Sequence, residues 1–521
     1  MNEFLFQYHA VSPTTWVYLS SLLMIGLFFK FNRFWSVRNL DLLMLILLSP
    51  GLLMVLFGNH LQERGAKQLR EQTSQIMAND DGIRDIDNGS SAHDQPSPAG
   101  AADNSPASEG TDGGHAIEVS DSAKSTDAVS SKADQAAEEV AAAEIELPED
   151  VVKGRRLELG GFVWLFGIGV LWLIRLLIDP AMVRRPLLVP NLSIGGMSFI
   201  GCALFIFLMA NVIARRAPVS LDIAAVDEVT ATVAATAADT SDEAVVLRLD
   251  AVMQNHPTKG PGYAAIKMLP TSANKVVAVL AHFAIVLGLT LVGYRHFDNI
   301  SAGIAAATIY LMLPYTSQLT GRVDHVLPGA LLVWGVLTYR RPVIAGFCVG
   351  AAAGTIYYPL FLLPLWLSFY WQRGLWRFLI GFSIAIGIMV LALVFVAPAE
   401  TSFFSDVRRM FGVMLPQFDD LEGVWNGTIG GWPAYWRLPV LALFMVIAFS
   451  FIFWPAQKNL GTLLSCTAAI MLGSQFWHGY GGGLYIAWYL PLLLLTIFRP
   501  NLEDRMAQTV LADGWFPRRR P

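Results

Sequence analysis

Residues 321–373 read GRVDHVLPGALLVWGVLTYRRPVIAGFCVGAAAGTIYYPLFLLPLWLSFYWQR, and this stretch decides the fold. Asp324 and His325 open one apolar run, which two arginines close. A Gly- and Ala-rich run follows, and Tyr357 and Tyr358 interrupt it before apolar residues resume. Charges at the ends of membrane helices, and breaks inside such helices, are energetically costly and commonly mark functional sites. The stretch therefore predicts membrane helices with a polar site at their ends.

The composition of the whole chain supports a membrane protein. The 521 residues are 54% hydrophobic and only 15% charged, and the mean hydropathy is +0.48. Soluble domains rarely combine so many apolar residues with so few charges. The three cysteines lie inside apolar runs, so they predict neither a disulfide framework nor a zinc site, and the sequence specifies no cofactor. A basic surface interleaved with aromatic residues, which would indicate nucleic-acid binding, is not evident.

Hydropathy predicts an all-α polytopic protein with about 13 transmembrane helices, within a range of 11 to 13. An apolar run of roughly 18 residues or more is enough to span a bilayer. The predicted spans are 14–31, 39–58, 159–178, 193–213, 273–294, 302–319, 325–339, 342–355, 358–371, 376–397, 436–455, 460–478 and 484–498.

The apolar run 342–371 is predicted to form two helices. As one helix its 30 residues would measure ~45 Å at 1.5 Å per residue, more than a hydrocarbon core of ~30 Å. The split also places Arg340, Arg341 and the tail arginines Arg518–Arg520 on the same side of the membrane. Positive charge favours the cytoplasmic side. We therefore expect the N-terminus outside and the C-terminus in the cytoplasm, most simply in a bacterial inner membrane.

Charge and complexity divide the chain further. Residues 79–150 hold eighteen acidic and three basic residues, and residues 79–140 hold few large apolar ones, a composition that favours disorder. The predicted organisation is an N-terminal transmembrane hairpin (1–60), an acidic disordered loop (61–158), a second hairpin (159–216), an outer loop with a short amphipathic helix (217–272), a transmembrane core (273–500) and a basic cytoplasmic tail (501–521).

The predicted topology collects several polar and aromatic residues at the outer membrane surface. These candidates could carry chemistry, but each also has a structural explanation. Tryptophans at helix ends commonly form an aromatic belt, and an acidic residue in the first turn of a helix commonly caps it. The candidate catalytic residues are Asp222, Asp227 and Asp324, and the candidate substrate-binding residues are His325, Tyr357, Tyr358, Trp425, Trp432 and His478.

Two other functions remain open from the residues alone. A transporter could use His282, Arg175 and Asp179 as polar groups within the membrane, although transporters typically show paired broken helices and internal repeats. A membrane scaffold could use the acidic loop 61–158 to recruit partners. The lipid bilayer is the partner common to every interpretation.

Three motifs resemble the GT-C-type integral membrane glycosyltransferases, especially the polyprenyl-phosphate-mannose-dependent branch. RRPVIAGFCVGAAAGTIYYPLFLLPLWL is similar to a basic hairpin, a Gly/Ala helix and a break before a Leu/Pro-rich helix. LPYTSQLTGRVDHVLPGALLVWGVL is similar to a segment in which an Asp opens a helix on the outer face. GPGYAAIKMLP resembles a Pro-rich Tyr segment that follows the first outer loop of the core. The resemblance covers about residues 262–372.

The resemblance implies an outward-facing site that takes a sugar from a polyprenyl-phosphate carrier. It implies a catalytic carboxylate in the first outer loop of the core, which here gives Asp222 or Asp227 by position, and it gives Asp324 a part in shaping the site. The family pattern has a Lys before the Tyr-Pro break, where this chain has Ile356. A glycosyltransferase and a non-catalytic relative therefore both remain open.

Overall fold

The computed structural model is predominantly helical in the part of the chain that it describes, with no β-strand there. The described residues are 12–89, 149–182, 188–214, 260–267, 269–396, 403–412, 418, 421–427, 430–479, 483–502 and 505–511.

The described residues form seventeen α-helices, numbered in chain order. They are α1 (Pro13–Phe28), α2 (Val37–Gly89), α3 (Glu149–Ile178), α4 (Ile194–Ala214), α5 (Pro261–Lys267), α6 (Thr271–His296), α7 (Ile300–Met312), α8 (Pro314–Gln318), α9 (Val323–Leu337), α10 (Pro342–Thr355), α11 (Leu363–Tyr370), α12 (Leu375–Val396), α13 (Phe403–Met410), α14 (Arg437–Ser450), α15 (Leu460–Trp477), α16 (Leu490–Phe498) and α17 (Ala507–Val510). Short 3-10 turns include Tyr358–Leu362, Gly423–Trp425 and Ile486–Trp488.

The membrane character predicted from hydropathy is confirmed, and each predicted span contains helix. Among the described residues, six helices are long and apolar enough to cross a bilayer by themselves. Several others are apolar but shorter, such as α9 and α10. The six are Val37–Gln68, Glu149–Ala181, Ile194–Ala214, Ser272–His296, Leu375–Val394 and Leu460–Trp477.

The run 342–371 is divided, as its length predicts. Helix α10 ends at Thr355, and Ile356 is extended with φ −140° and ψ 141°. The chain then makes the 3-10 turn Tyr358–Leu362 before α11 begins. Pro359 lacks the backbone N–H that a continuous helix would need at this point. The tyrosine pair consequently lies at an interruption between two helices.

The two helices that flank the acidic insert extend beyond the predicted boundaries. Helix α2 continues from Val37 to Gly89, and α3 begins at Glu149. The helical backbone therefore passes residues 60 and 158, where hydropathy places the limits of a disordered loop. The reason is that Glu, Gln, Arg and Lys favour helix as well as apolar residues do, and hydropathy does not score that preference. Residues 90–148 lie outside the described part of the chain.

The chain separates into two compact units. One comprises residues 1–59, 154–222 and 255–521, and the other comprises 60–153 and 223–254. In the second unit, Ala66 and Val151 are buried together, and a side chain at Gly65 would collide with Val151. All the helices from α4 to α17 belong to the first unit.

Small residues allow α10 and α12 to pack backbone against backbone. A Cβ at Gly346 would collide with the carbonyl oxygen of Phe378, and a Cβ at Gly381 would collide with that of Val343. Close approach at small residues is typical of helix pairs in membranes, where packing rather than water exclusion drives association.

Helix α15 lies at the centre of the first unit. Every one of its residues from Leu460 to Trp477 is buried. It packs against α14, α16 and the turn Tyr358–Leu362. Its C-terminal end therefore brings His478 next to the interruption between α10 and α11.

Candidate functional site

The start of α9 is fixed by a hydrogen bond from a distant tryptophan. The backbone carbonyl of Asp324 would normally accept from the N–H four residues later, but that residue is Pro328, which has no N–H. The indole Nε1 of Trp488 donates to this carbonyl instead, at 2.9 Å. Gly329 sits close to the carbonyl of Ala487, where a side chain would collide. The first turn of α9 is thus held against the segment that precedes α16.

The side chain of Asp324 is buried and held by an arginine. Nη2 of Arg322 donates to Oδ2 at 3.0 Å, and Nε lies 3.5 Å from Oδ1. The carboxylate side chain is only 6% exposed, whereas that of Arg322 is 17% exposed. Charge-assisted pairing of this fork-like kind fixes both groups in one orientation. The pair brings a cation to the edge of the site.

His325 is enclosed by two tyrosines. Its Nδ1 is 2.6 Å from the hydroxyl of Tyr315, and its ring centroid is 4.4 Å from that of Tyr485. Nε2 of His325 lies 3.9 Å from Oδ2 of Asp324. The residue is only 2% exposed. Its ring is therefore held by contacts on several sides.

The interruption between α10 and α11 is connected to His325 through the rings of His478 and Tyr485. The hydroxyl of Tyr358 is hydrogen-bonded to Nδ1 of His478, and the hydroxyl of Tyr357 donates to that of Tyr358 at 3.0 Å. The ring of Tyr485 packs on His478 at 4.9 Å and stacks on Trp488 at 4.3 Å. A continuous set of contacts thus joins the two tyrosines to the start of α9. We call this set the His–Tyr cluster: Asp324, His325, Tyr357, Tyr358, His478, Tyr485 and Trp488.

A second arginine lies beside the cluster. Arg437 is the first residue of α14 and is 7% exposed. Its Nε donates to the carbonyl of Trp477 at 3.1 Å, and its guanidinium packs so closely on Gly479 that a side chain there would collide. Ile356, where the family pattern has a Lys, is 1% exposed. Arg437 therefore brings buried positive charge near Tyr358 from a different helix.

Trp425 and Trp432, the two tryptophans among the predicted site residues, pack together beside the end of α15. Nε1 of Trp425 donates to the carbonyl of Phe476 at 3.1 Å, and Trp425 itself is buried. Trp432 is 43% exposed and packs edge-on against Trp425 and against Phe166. The contacts of Trp425 are those of a packing residue. Trp432 retains an exposed surface.

Five of the nine predicted site residues meet in the cluster, namely Asp324, His325, Tyr357, Tyr358 and His478. Asp222 and Asp227 lie outside the described residues. The prediction omitted Tyr315, Tyr485, Trp488 and Arg437. In the sequence, the three aromatic residues could equally belong to an aromatic belt. Arg437 is an ordinary cation at the end of a helix. Pro328, four residues after Asp324, was a further signal, because it leaves a carbonyl in need of a donor.

The polar groups considered for a transporter have structural partners. His282 contacts the hydroxyl of Tyr310 at 2.9 Å and the carbonyl of Thr320 at 3.1 Å. Arg175 pairs with Asp179 and with Asp41, in both cases at 3.0 Å. These contacts satisfy the groups inside the fold, which is the usual way that polar residues are accommodated in a membrane.

The cluster offers proton donors and acceptors next to cations. Imidazole and phenol groups can bind hydroxyls, and the two arginines can offset the charge of an anionic group. Among the described residues, no group of three or more His, Cys, Asp or Glu side chains is arranged to hold a metal ion. The arrangement suits a substrate that carries both hydroxyls and an anionic group.

One family model matches the region that builds most of this site. Residues 260–476 match the model of glycosyltransferase family 87, which is a GT-C-type membrane enzyme family. Over these residues the chain resembles a GT-C glycosyltransferase. No curated protein and no solved structure gives a match.

The family 87 match confirms the resemblance to GT-C enzymes and extends it beyond residue 372. It covers fewer than half of the residues of the chain. It includes Asp324, His325, Tyr357 and Tyr358, and it ends two residues before His478. Helices α1 to α4 precede the matched region, so the first part of the membrane bundle is additional to it.

Proposed function

We propose that this protein is a membrane glycosyltransferase that transfers a sugar from a polyprenyl-phosphate carrier at the outer face of a bacterial inner membrane. The observation that carries the proposal is the convergence of Asp324, His325, Tyr358 and His478 in one buried cluster, most of it within the family 87 match. The match supports a lipid-linked sugar donor, and the two adjacent arginines are consistent with a phosphate on that lipid.

The proposed reaction is a displacement at the anomeric carbon of the sugar. The hydroxyl oxygen of the acceptor forms the new bond to that carbon while the bond from the carbon to the phosphate oxygen breaks. The phosphate leaves as an anion on the lipid, and the proton of the acceptor passes to a carboxylate acting as general base. By position in the first outer loop of the core, that base is Asp222 or Asp227.

The cluster residues are proposed to bind and orient the donor. Arg322, held by Asp324, and Arg437, held by the carbonyl of Trp477, would offset the developing charge of the phosphate. Arg437 would thereby provide the charge that Ile356 does not. His325 and His478 would present their rings to the sugar, with orientations set by the tyrosine hydroxyls.

The proposed topology has thirteen crossings, with the N-terminus outside and the C-terminus in the cytoplasm. It divides the run 342–371 into two short crossing segments that meet at the tyrosine pair. It places Arg322, Tyr358 and His478 together at the outer end of the bundle, where a donor could enter from the lipid. The domain division into two N-terminal hairpins and a core at 273–500 belongs to the same proposal.

Membrane vesicles of opposite orientation test the donor and the membrane face together. Vesicles that expose the outer face should transfer radiolabelled hexose from a polyprenyl-phosphate hexose to an added acceptor that cannot cross the membrane. Vesicles that expose the cytoplasmic face should do so only after detergent opens them. Transfer from a nucleotide sugar at the cytoplasmic face would refute both the donor and the orientation. Vesicles from cells lacking the protein provide the control.

A further inference from the structure

The end of α15 carries a buried carboxamide whose oxygen lacks a partner among the described residues. Gln475 is 7% exposed, and its Oε1 has no hydrogen-bond partner there. Its Nε2 reaches only Oγ of Ser474, at 3.5 Å, and that hydroxyl already donates to the carbonyl of Met471 at 2.8 Å. Burying an acceptor without a donor is unfavourable. Gln475 is therefore suited to a donor supplied by something other than these residues.

The position of Gln475 is next to the His–Tyr cluster. His478 is three residues later, and its backbone N–H still bonds to the carbonyl of Ser474 at 3.1 Å, so the helical turn continues. Residues three apart on a helix share a face, which places Gln475 on the same face as His478. A Cβ at Gly483 would lie 3.9 Å from the Cβ of Gln475, and Tyr485, two residues on, packs against His478.

A second buried group at the same helix end also lacks a partner. The indole Nε1 of Trp477 has no hydrogen-bond acceptor among the described residues, and Trp477 is 9% exposed. Its ring centroid is 5.3 Å from that of Tyr358. One unmet acceptor and one unmet donor thus flank the cluster. Hydroxyl groups both donate and accept, so a ligand with several hydroxyls matches this helix end better than an anion or an apolar chain does.

We propose that Gln475 is a specificity-determining residue that binds a hydroxyl of the transferred sugar. This inference rests on the proposed function and adds the group that recognises the sugar. The hydroxyl donates to Oε1 of Gln475, and Nε2 is available to a neighbouring sugar oxygen. A donor in which that hydroxyl is inverted leaves Oε1 unpaired, and sites built to bind a hydroxyl discriminate strongly against substrates that cannot supply it.

The test compares a glucose donor with donors that each differ from it at one hydroxyl. With purified protein in nanodiscs, kcat/KM is measured for polyprenyl-phosphate glucose, for its C2, C3 and C4 epimers (mannose, allose and galactose) and for 6-deoxyglucose. Gln475→Met keeps the length of the side chain and removes its hydrogen bonds. It should lower the preference for the best donor over its epimer by about tenfold or more, mainly by slowing the best donor. Gln372→Met, at an exposed position just beyond the end of α11 that is far from the cluster, is the control and should leave the preference unchanged. If Gln475→Met does not fold, the same preference is measured for Gln475→Asn, which keeps the carboxamide but shortens the side chain by one methylene.

An unchanged preference in Gln475→Met and Gln475→Asn would overturn the inference, since it would mean that Oε1 binds only water. A binding measurement separates this failure from failure of the proposed function. If the wild-type protein transfers no sugar, its tryptophan fluorescence is titrated with polyprenyl-phosphate mannose and with polyprenyl phosphate. A wild-type preference for the sugar-bearing lipid that Gln475→Met abolishes would support the inference. Equal wild-type affinities would refute it.

Discussion

Trp488 donates its indole N–H to the backbone carbonyl of Asp324 at 2.9 Å, across 164 residues of sequence. The bond exists because Pro328 removes the donor that the helix would otherwise supply to this carbonyl. A proline near the start of α9 and a tryptophan before α16 thus act as one structural unit. They hold the first turn of α9, which carries Asp324, against the segment that precedes α16.

The coupling between Pro328 and Trp488 can be measured with a double-mutant cycle. Trp488→Phe should lower the free energy of unfolding by about 1–3 kcal/mol, because it leaves the Asp324 carbonyl without a donor. In the Pro328→Ala background the new backbone N–H at position 328 can bond that carbonyl. The cost of Trp488→Phe should then fall by about 1 kcal/mol. If Trp488→Phe lowers the free energy of unfolding equally in both backgrounds, its effect does not come from the hydrogen bond between the indole and the Asp324 carbonyl.

A buried network of ion pairs, separate from the His–Tyr cluster, should be important for stability. Arg175 pairs with Asp41 and Asp179, and Arg499 pairs with Asp179 at 2.6 Å. Both aspartates are almost fully buried. Arg175→Met should destabilise the protein by about 3–5 kcal/mol, because it leaves buried carboxylates without a main partner. Thermal unfolding in detergent measures the effect.

An exposed ion pair on the same helix provides the control for Arg175→Met. Lys153 and Glu149 form a pair on α3 with side chains 60% and 80% exposed. Lys153→Met should change the unfolding midpoint little, since exposed pairs contribute little to stability. Similar midpoints for the two variants would contradict a structural role for the buried network.

Two glycines of α12 should respond differently to the same substitution. Gly381→Ala places a methyl group against the carbonyl of Val343, whereas nothing lies within 4 Å of the equivalent position at Gly387. Gly381→Ala should therefore cost about 1–3 kcal/mol through overpacking. Gly387→Ala should be neutral or stabilising by up to about 1 kcal/mol, since Ala favours helix. If Gly381→Ala is as stable as Gly387→Ala, then α10 and α12 are not in the close contact described.

The sequence was sufficient to predict the membrane class, a helix within each predicted span and the break at Tyr357 and Tyr358. These features depend on local composition, on chain length and on Pro359. It also singled out Asp324, His325 and His478, which lie together in the cluster, because polar residues at the ends of apolar runs are conspicuous. The extension of α2 to Gly89 was missed, since hydropathy does not score helix formation by polar residues.

The arrangement of the cluster could not be predicted in the same way. The contact between Asp324 and Trp488, and that between Tyr358 and His478, join residues more than a hundred positions apart. Arg437 is an ordinary helix-end cation in the sequence, and only the packing of α14 on the end of α15 places it beside Tyr358. That Oε1 of Gln475 has no partner among the described residues is likewise a property of its surroundings, not of its residue type.

The most direct test of the central claim compares two aspartates in the same transfer reaction. Purified protein is supplied with polyprenyl-phosphate hexose and an acceptor, and kcat is measured for the wild type, for Asp324→Asn and for Asp298→Asn. Asp324→Asn releases Arg322 at the edge of the cluster, so kcat should fall by about 100-fold or more, or ~2.7 kcal/mol. Asp298 is 77% exposed and pairs with Arg505 away from the cluster, so its variant should retain wild-type activity. Retained activity in Asp324→Asn would contradict the claim that the His–Tyr cluster is the site of sugar transfer.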